Sequence, residues 1–242
     1  MIVEICANSF ESASAAQLAG ANRIELCTEL SFGGLTPSHG LLEKVILELN
    51  IPTHVLIRPR SGNFNYSEDE FDVMLRDIAF CKRIGCAGIV SGFLTSENKI
   101  DLIKTVQLIA ASEGMEFTFH RAFDWVENPI EELQNLIDLK VNRLLSSGQK
   151  PTAIEGISLL KELQHIAKDE IEIMPGGGIN LENVLEFKEA EFKSIHLSAT
   201  TKKQVLLQKP NVSMHSEAFF EEGIVATSNI GTIEKICQLL NK

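Results

Sequence analysis

Two cysteines end two short apolar runs in the same local pattern, Glu4-Ile5-Cys6 and Glu25-Leu26-Cys27. If both runs are neighbouring strands, about 4.8 Å apart, the two sulfurs converge. A pair of soft thiolates suits a Cu(I) ion, which tolerates low coordination. The plainer alternative is a pair of small buried residues, because free cysteine is among the most buried residue types. Arg58-Pro59-Arg60-Ser61-Gly62 places two guanidinium groups beside a turn, a clamp for carboxylate or phosphate. The alternative there is a surface loop whose arginines pair with Glu68 or Asp69. In His120-Arg121-Ala122-Phe123-Asp124 a carboxylate follows a histidine by four residues and can hold it in one tautomer, as a general acid or base requires. It can equally cap a structural histidine. Gly176, Gly177 and Gly178 precede a helix start, where backbone N–H groups can approach an anion; a tight turn would need one glycine. Ser147 and Ser198 could add hydroxyls to such an anion site.

These residues fall in a repeating frame. Strand-like runs cover Ile2–Cys6, Arg23–Cys27, His54–Arg58, Gly88–Ser91, Phe117–His120, Asn142–Ser146, Glu170–Met174 and Ser194–Leu197. Helix-like stretches fill the gaps: Glu11–Ala19, Pro37–Leu49, Glu68–Ile84, Ile100–Ala111, Pro129–Leu139, Thr152–Ala167 and Asn180–Glu189. Pro37 and Pro129 are placed in first helical turns and Asn180 at an N-cap. Eight such units in 242 residues predict a single-domain α/β fold, the (β/α)8 TIM barrel. An open doubly wound sheet is the alternative, but no G-x-G-x-x-G opens the first unit, so no nucleotide cofactor is expected. Residues 201–227 break the rhythm, as an irregular excursion before a final helix at Thr232–Asn241. That excursion is the candidate for pairing with a second copy in a homo-oligomer.

Side chains along a strand alternate between faces. The apolar parity (Val3, Ile5, Ile24, Leu26, Val55, Ile57, Phe117, Phe119) belongs against helices. Glu4, Cys6, Glu25, Cys27, His54, Arg58, Thr118, His120, Glu172, His196 and Ser198 are then forced into the barrel. Buried charges must pair, so an ion network low in the barrel is one reading. Residues at the C-terminal strand ends, where barrel sites lie, are the functional candidates. Glu25, Arg58, His120 and Asp124 are candidate catalytic groups. Arg58, Arg60, Gly177, Gly178, Ser147 and Ser198 are candidate anion binders, and Cys6 and Cys27 candidate metal ligands. Arg58 is expected near Glu25, partly solvated and free to clamp a ligand; the alternative is a structural pair with Glu25.

The chain carries 22 Lys and Arg against 33 Asp and Glu, a net charge of −11, which argues against nucleic acid or an anionic membrane surface as partner. No apolar run is long enough to span a bilayer, and the start lacks the basic region of a secretory signal. Five cysteines without a CxxC pair read as reduced thiols of a cytoplasmic protein. His39, His165 and His215 sit in polar stretches and are read as solvated.

Taken in order, Ala21-Asn22-Arg23-Ile24-Glu25-Leu26-Cys27, Gly33-Gly34-Leu35-Thr36-Pro37-Ser38, Ile57-Arg58-Pro59-Arg60, Thr118-Phe119-His120-Arg121-Ala122-Phe123-Asp124, Ser147-Gly148-Gln149 and Gly176-Gly177-Gly178 resemble the copper homeostasis protein CutC family. The likeness runs from the first strand to the eighth. It implies a TIM barrel, a cytoplasmic protein and a copper ion held by cysteines matching Cys6 and Cys27. The distinctive Glu, Arg, His and Gly residues at the mouth support an alternative. This is a barrel enzyme (isomerase, lyase or hydrolase) acting on a small anionic metabolite, phosphorylated or not, at the C-terminal barrel mouth.

Overall fold

Four-residue apolar strands are stable only when both faces are covered, and the computed structural model of the chain covers both. It describes residues 1–208, 211–212 and 224–241. Eight parallel strands follow in chain order: β1 (Ile2–Ala7), β2 (Arg23–Leu26), β3 (Thr53–Leu56), β4 (Gly88–Ser91), β5 (Glu116–Phe119), β6 (Arg143–Ser146), β7 (Glu172–Pro175) and β8 (Ser194–Leu197). Consecutive strands pair from β1 through β7, and β8 returns to pair with β1. A single parallel bridge between Gly176 and His196 closes the ring.

Eight helices surround it: α1 (Phe10–Leu18), α2 (His39–Glu48), α3 (Glu68–Ile84), α4 (Leu102–Ala111), α5 (Pro129–Asp138), α6 (Ile157–Ala167), α7 (Val184–Glu189) and α8 (Ile230–Asn241). The apolar parity of the strands packs on them. Ile5, Ile24, Ile57, Phe117, Phe119 and Ile195 all belong to one continuous core. Local chemistry sets the helix ends. Ser67 and Glu70 form a reciprocal capping box on α3, and Gly85 ends that helix in the left-handed conformation.

Several boundaries differ from the sequence expectation. Pro37 lies outside α2, because the Ser38 side chain caps the helix by accepting from Leu41 N–H. Residues 152–156 form a turn before α6. Asn180 does not cap α7. Its Oδ1 accepts from Glu182 N–H in a local turn, which delays the helix to Val184. Nor are the described flanks of the 201–227 excursion irregular. Strand β9 (Thr200–Gln204) pairs antiparallel with β10 (Ile224–Ser228), Thr200 opposite Ser228. This ribbon is tied to the barrel where Asn8 Nδ2 donates to Ala226 O at 3.0 Å and Ser228 N–H donates to Ser12 Oγ at 3.0 Å. The middle of the excursion, including His215, lies outside the described residues. His39 and His165 are both exposed, and the His39 ring stacks on Phe80 at 3.7 Å. Among the described residues no helix is long and apolar enough to cross a membrane.

Candidate metal and anion site

The barrel interior is an ion network. Glu4 and Arg23 are register partners on β1 and β2, and the Arg23 Nε donates to Glu4. Arg143 pairs with Glu116 at 3.0 Å and Glu172 at 3.2 Å, and donates to Thr118 Oγ1 at 3.1 Å. Glu172 also accepts from Ser194. His54 lies 3.5 Å from Glu116. Arg23 and Arg143 were absent from the expected inward set, although Arg23 shares the parity of Glu25. They are the counter-ions that make the buried carboxylates tolerable.

His196 carries this network upward. Its Nδ1 meets Glu4 Oε1 at 2.7 Å and its Nε2 faces Glu25 Oε2 at 3.3 Å. Burial works against a charged ring, but the Glu25 and Glu4 carboxylates outweigh it and hold the pKa well above the usual histidine value. Both nitrogens therefore donate, and the side chain is an imidazolium. Burial also opposes the charge on Glu4, yet the His196 hydrogen bond and Arg23 keep its carboxyl far below the ordinary range. On Glu25 burial wins, with repulsion from Glu4, and its pKa is raised.

Cys6 and Cys27 converge one layer above. Their sulfurs are 3.6 Å apart. With Leu56 and Val90 they form a small apolar cluster inside the barrel, separate from the main core. Gly34, at φ +89°, lets the loop after β2 lie over this cluster; a Cβ there would come 2.6 Å from Leu56 Cδ2. The contact with Cys27 and then burial push the Cys6 thiol well above its ordinary pKa, so it is protonated at neutral pH. The Cys6 sulfur, a Glu25 oxygen and a His196 nitrogen lie within 4.8 Å of one another. Two soft sulfurs with an imidazolium beside them fit a monovalent soft ion: the resulting bis-thiolate would be anionic, and His196 is already its counter-charge. His196 could join as a ligand only by giving up one proton and the carboxylate partner of that nitrogen.

Above the cysteines opens a cavity of about 240 Å³. Cys6, Glu25 and His196 border it together with Arg58, His120, Arg121, Gly177, Gly178 and Ser198. Arg121, absent from the expected candidates, donates through Nε to Asp124 at 2.8 Å and through Nη2 to Ser147 Oγ at 2.7 Å. Gly177, at φ +109°, permits its approach; a Cβ there would lie 3.2 Å from Arg121 Nη1.

Four expectations change here. Arg58 neither pairs with Glu25 nor stands half-solvated. It is 5% exposed, and its guanidinium donates to the carbonyls of Phe32 (2.6 Å), Gly34 (3.0 Å) and Gly62 (3.1 Å). It staples two loops and lies over Phe64 at 4.8 Å. Arg60 is engaged by Glu70 at 2.5 Å and by Asn63 and Asn65, and it does not border the cavity. Asp124 does not hold His120. It accepts instead from Ser146 Oγ at 2.6 Å, from Ser147 and from Arg121. Ser147 Oγ is consumed by Asp124, Arg121 and the Lys150 carbonyl, and it too does not border the cavity.

The His120 tautomer is set by backbone. Its Nδ1 accepts from Ala122 N–H at 3.3 Å, which leaves the proton on Nε2. Burial, then the nearby Arg58 charge, pull its pKa down to about 3, so the ring is neutral. Neither His120 Nε2 nor Arg58 Nε has a hydrogen-bond partner. An unmet buried donor costs roughly 1–3 kcal/mol.

The chain matches the CutC family model over residues 1–201. A CutC family protein of Histophilus somni is 42% identical over 242 residues, covering 98% of this chain and all of that one. Another, of Pasteurella multocida, is 46% identical over 199 residues, 82% of each chain. Among solved structures, CutC from Streptococcus agalactiae, described as a candidate copper homeostasis protein, superposes with a TM-score of 0.77 at 34% identity, over 82% of this chain and 98% of that one. An aldolase, QR15, superposes with a TM-score of 0.59 at 13% identity over 77% of this chain and 81% of that one, a likeness of fold alone.

Proposed function

The chain belongs to the CutC family, and from its paired cysteines we propose that it binds Cu(I) through Cys6 and Cys27 as a cytoplasmic buffer in copper homeostasis. The observation that carries the reading is the 3.6 Å approach of two buried sulfurs, of which Cys6 borders an open cavity. Two thiolates favour a soft monovalent ion over zinc, which takes four ligands in structural sites. The description of the Streptococcus agalactiae relative points the same way.

In this reading Cys6 and Cys27 lose their protons as the ion enters from the cavity. His196 stays an imidazolium beside Cys6, balancing the charge of the bis-thiolate, and Glu4 and Glu25 keep it protonated. Leu56 and Val90 exclude water from the buried side of the pair. Copper K-edge absorption on the Cu(I)-loaded protein tests it. A first shell containing two sulfurs is expected; a shell of only nitrogen and oxygen would refute the assignment.

A further inference from the structure

The chain as a whole is strongly acidic, at −11, yet the cavity lining is not. Arg58 and Arg121 border it, against Glu25 as the one acidic side chain among the lining residues. A cavity with low-dielectric walls concentrates such a field and draws in anions. The lining is also short of acceptors. Arg58 Nε and His120 Nε2 are buried donors with no partner, and the Arg121 side chain is 42% exposed with only Nε and Nη2 engaged. Phe64 joins these groups, with its ring 4.8 Å from the Arg58 guanidinium and 4.9 Å from the His120 ring. The cysteine pair has no use for Arg121, His120 or Phe64 in taking up a metal ion.

We propose that the mouth of the barrel is a second, separate binding site, which takes a small oxyanion with a hydroxyl at its other end. The oxyanion lies at the Arg121, His120 and Gly177 rim, where N–H donors stand without acceptors. The hydroxyl points down to Glu25, the lining carboxylate, and donates to it. This polarity orients the ligand: Glu25 repels an anionic head, and the donors of Arg121 and His120 attract it. At about 240 Å³ the cavity is smaller than the roughly 300–1,000 Å³ of pockets for drug-sized ligands, so the ligand has only a few carbons. Carboxylate and phosphate heads share this chemistry.

The chain has one tryptophan, Trp125, packed edge-on at 4.8 Å against Phe64 of the cavity wall, so its emission can report occupancy. The metal-free protein is titrated with glycerate and propionate, and with glycerol 3-phosphate and inorganic phosphate, by Trp125 fluorescence and by calorimetry. We expect saturable binding in which the hydroxylated member of at least one pair binds several-fold tighter, and which pair does so identifies the head group. Arg121→Gln should weaken that binding at least tenfold in protein that remains folded, and Arg60→Gln should leave it unchanged. Arg121→Gln should also keep its Cu(I) affinity, which separates this site from the cysteine pair. Absence of saturable binding by all four probes, or Arg121→Gln binding as well as wild type, would overturn the proposal. Equal affinity within both pairs would remove Glu25, and with it the orientation, from the site.

Discussion

Nδ1 of His196 lies 2.7 Å from Oε1 of Glu4, with both side chains buried. That contact joins the ion network low in the barrel to the cysteine layer above it. Removing the Glu4 charge leaves Arg23 and His196 as buried cations without their shared partner. Glu4→Gln should therefore cost on the order of 3–5 kcal/mol in a urea melt. A loss below about 1 kcal/mol would show that the network is dispensable.

His120 makes stability depend on pH. Its folded pKa, about 3, is below the ordinary histidine value of about 6.5, so the unfolded chain binds the extra proton between those limits. Its contribution is complete above the unfolded pKa and is lost as pH falls toward the folded one. From pH 7.5 to 5 that loss is about 2 kcal/mol for this one group. Burial lowers the His54 pKa too, so it adds to the same slope. His196, with its raised pKa, acts in the opposite sense, favouring the fold at low pH. Urea melts at both pH values for wild type and His120→Asn check the claim. The variant should show a shallower loss, and an identical slope would contradict it.

Much of this was legible from alternation alone. A one-residue shift would turn Ile5 or Phe117 into the barrel and Glu4 out, so the inward set of Glu4, Cys6, Glu25, His54 and His196 followed from the apolar parity. The same rule places Arg23 inward. The fates of Arg58 and Asp124 were not legible, because their partners are far along the chain. Phe32 and Gly34 are supplied by the loop after β2, and Ser146 and Ser147 by the end of β6. No spacing rule links a guanidinium to carbonyls 24 or 26 residues before it. Asn180 misled for a local reason, since the Asx turn and the helix cap draw on the same side-chain oxygen.

Arg58 holds two loops through three carbonyls, and its removal leaves those carbonyls to find other donors. Arg58→Met should lower stability by about 1–3 kcal/mol. Lysine cannot reproduce a planar fork, so Arg58→Lys should recover little of that loss. Chemical denaturation measures both, and an unchanged midpoint for Arg58→Met would refute the stapling role.

Copper binding should release protons, because the Cys6 thiol is pushed well above its ordinary pKa by Cys27 and by burial. The apparent Cu(I) affinity should then tighten as pH rises, by up to about tenfold per pH unit for each proton displaced. Competition assays at pH 6, 7 and 8 would show the slope, and an affinity independent of pH would mean that the ion sits elsewhere.

The central claim is most directly tested by anaerobic Cu(I) titration against a chromophoric chelator, comparing wild type with the Cys6→Ser, Cys27→Ser double variant. Wild type should remove one equivalent of Cu(I) from the chelator, while the folded double variant should remove none. Equal removal by the two proteins would contradict the assignment of the cysteine pair as the copper site.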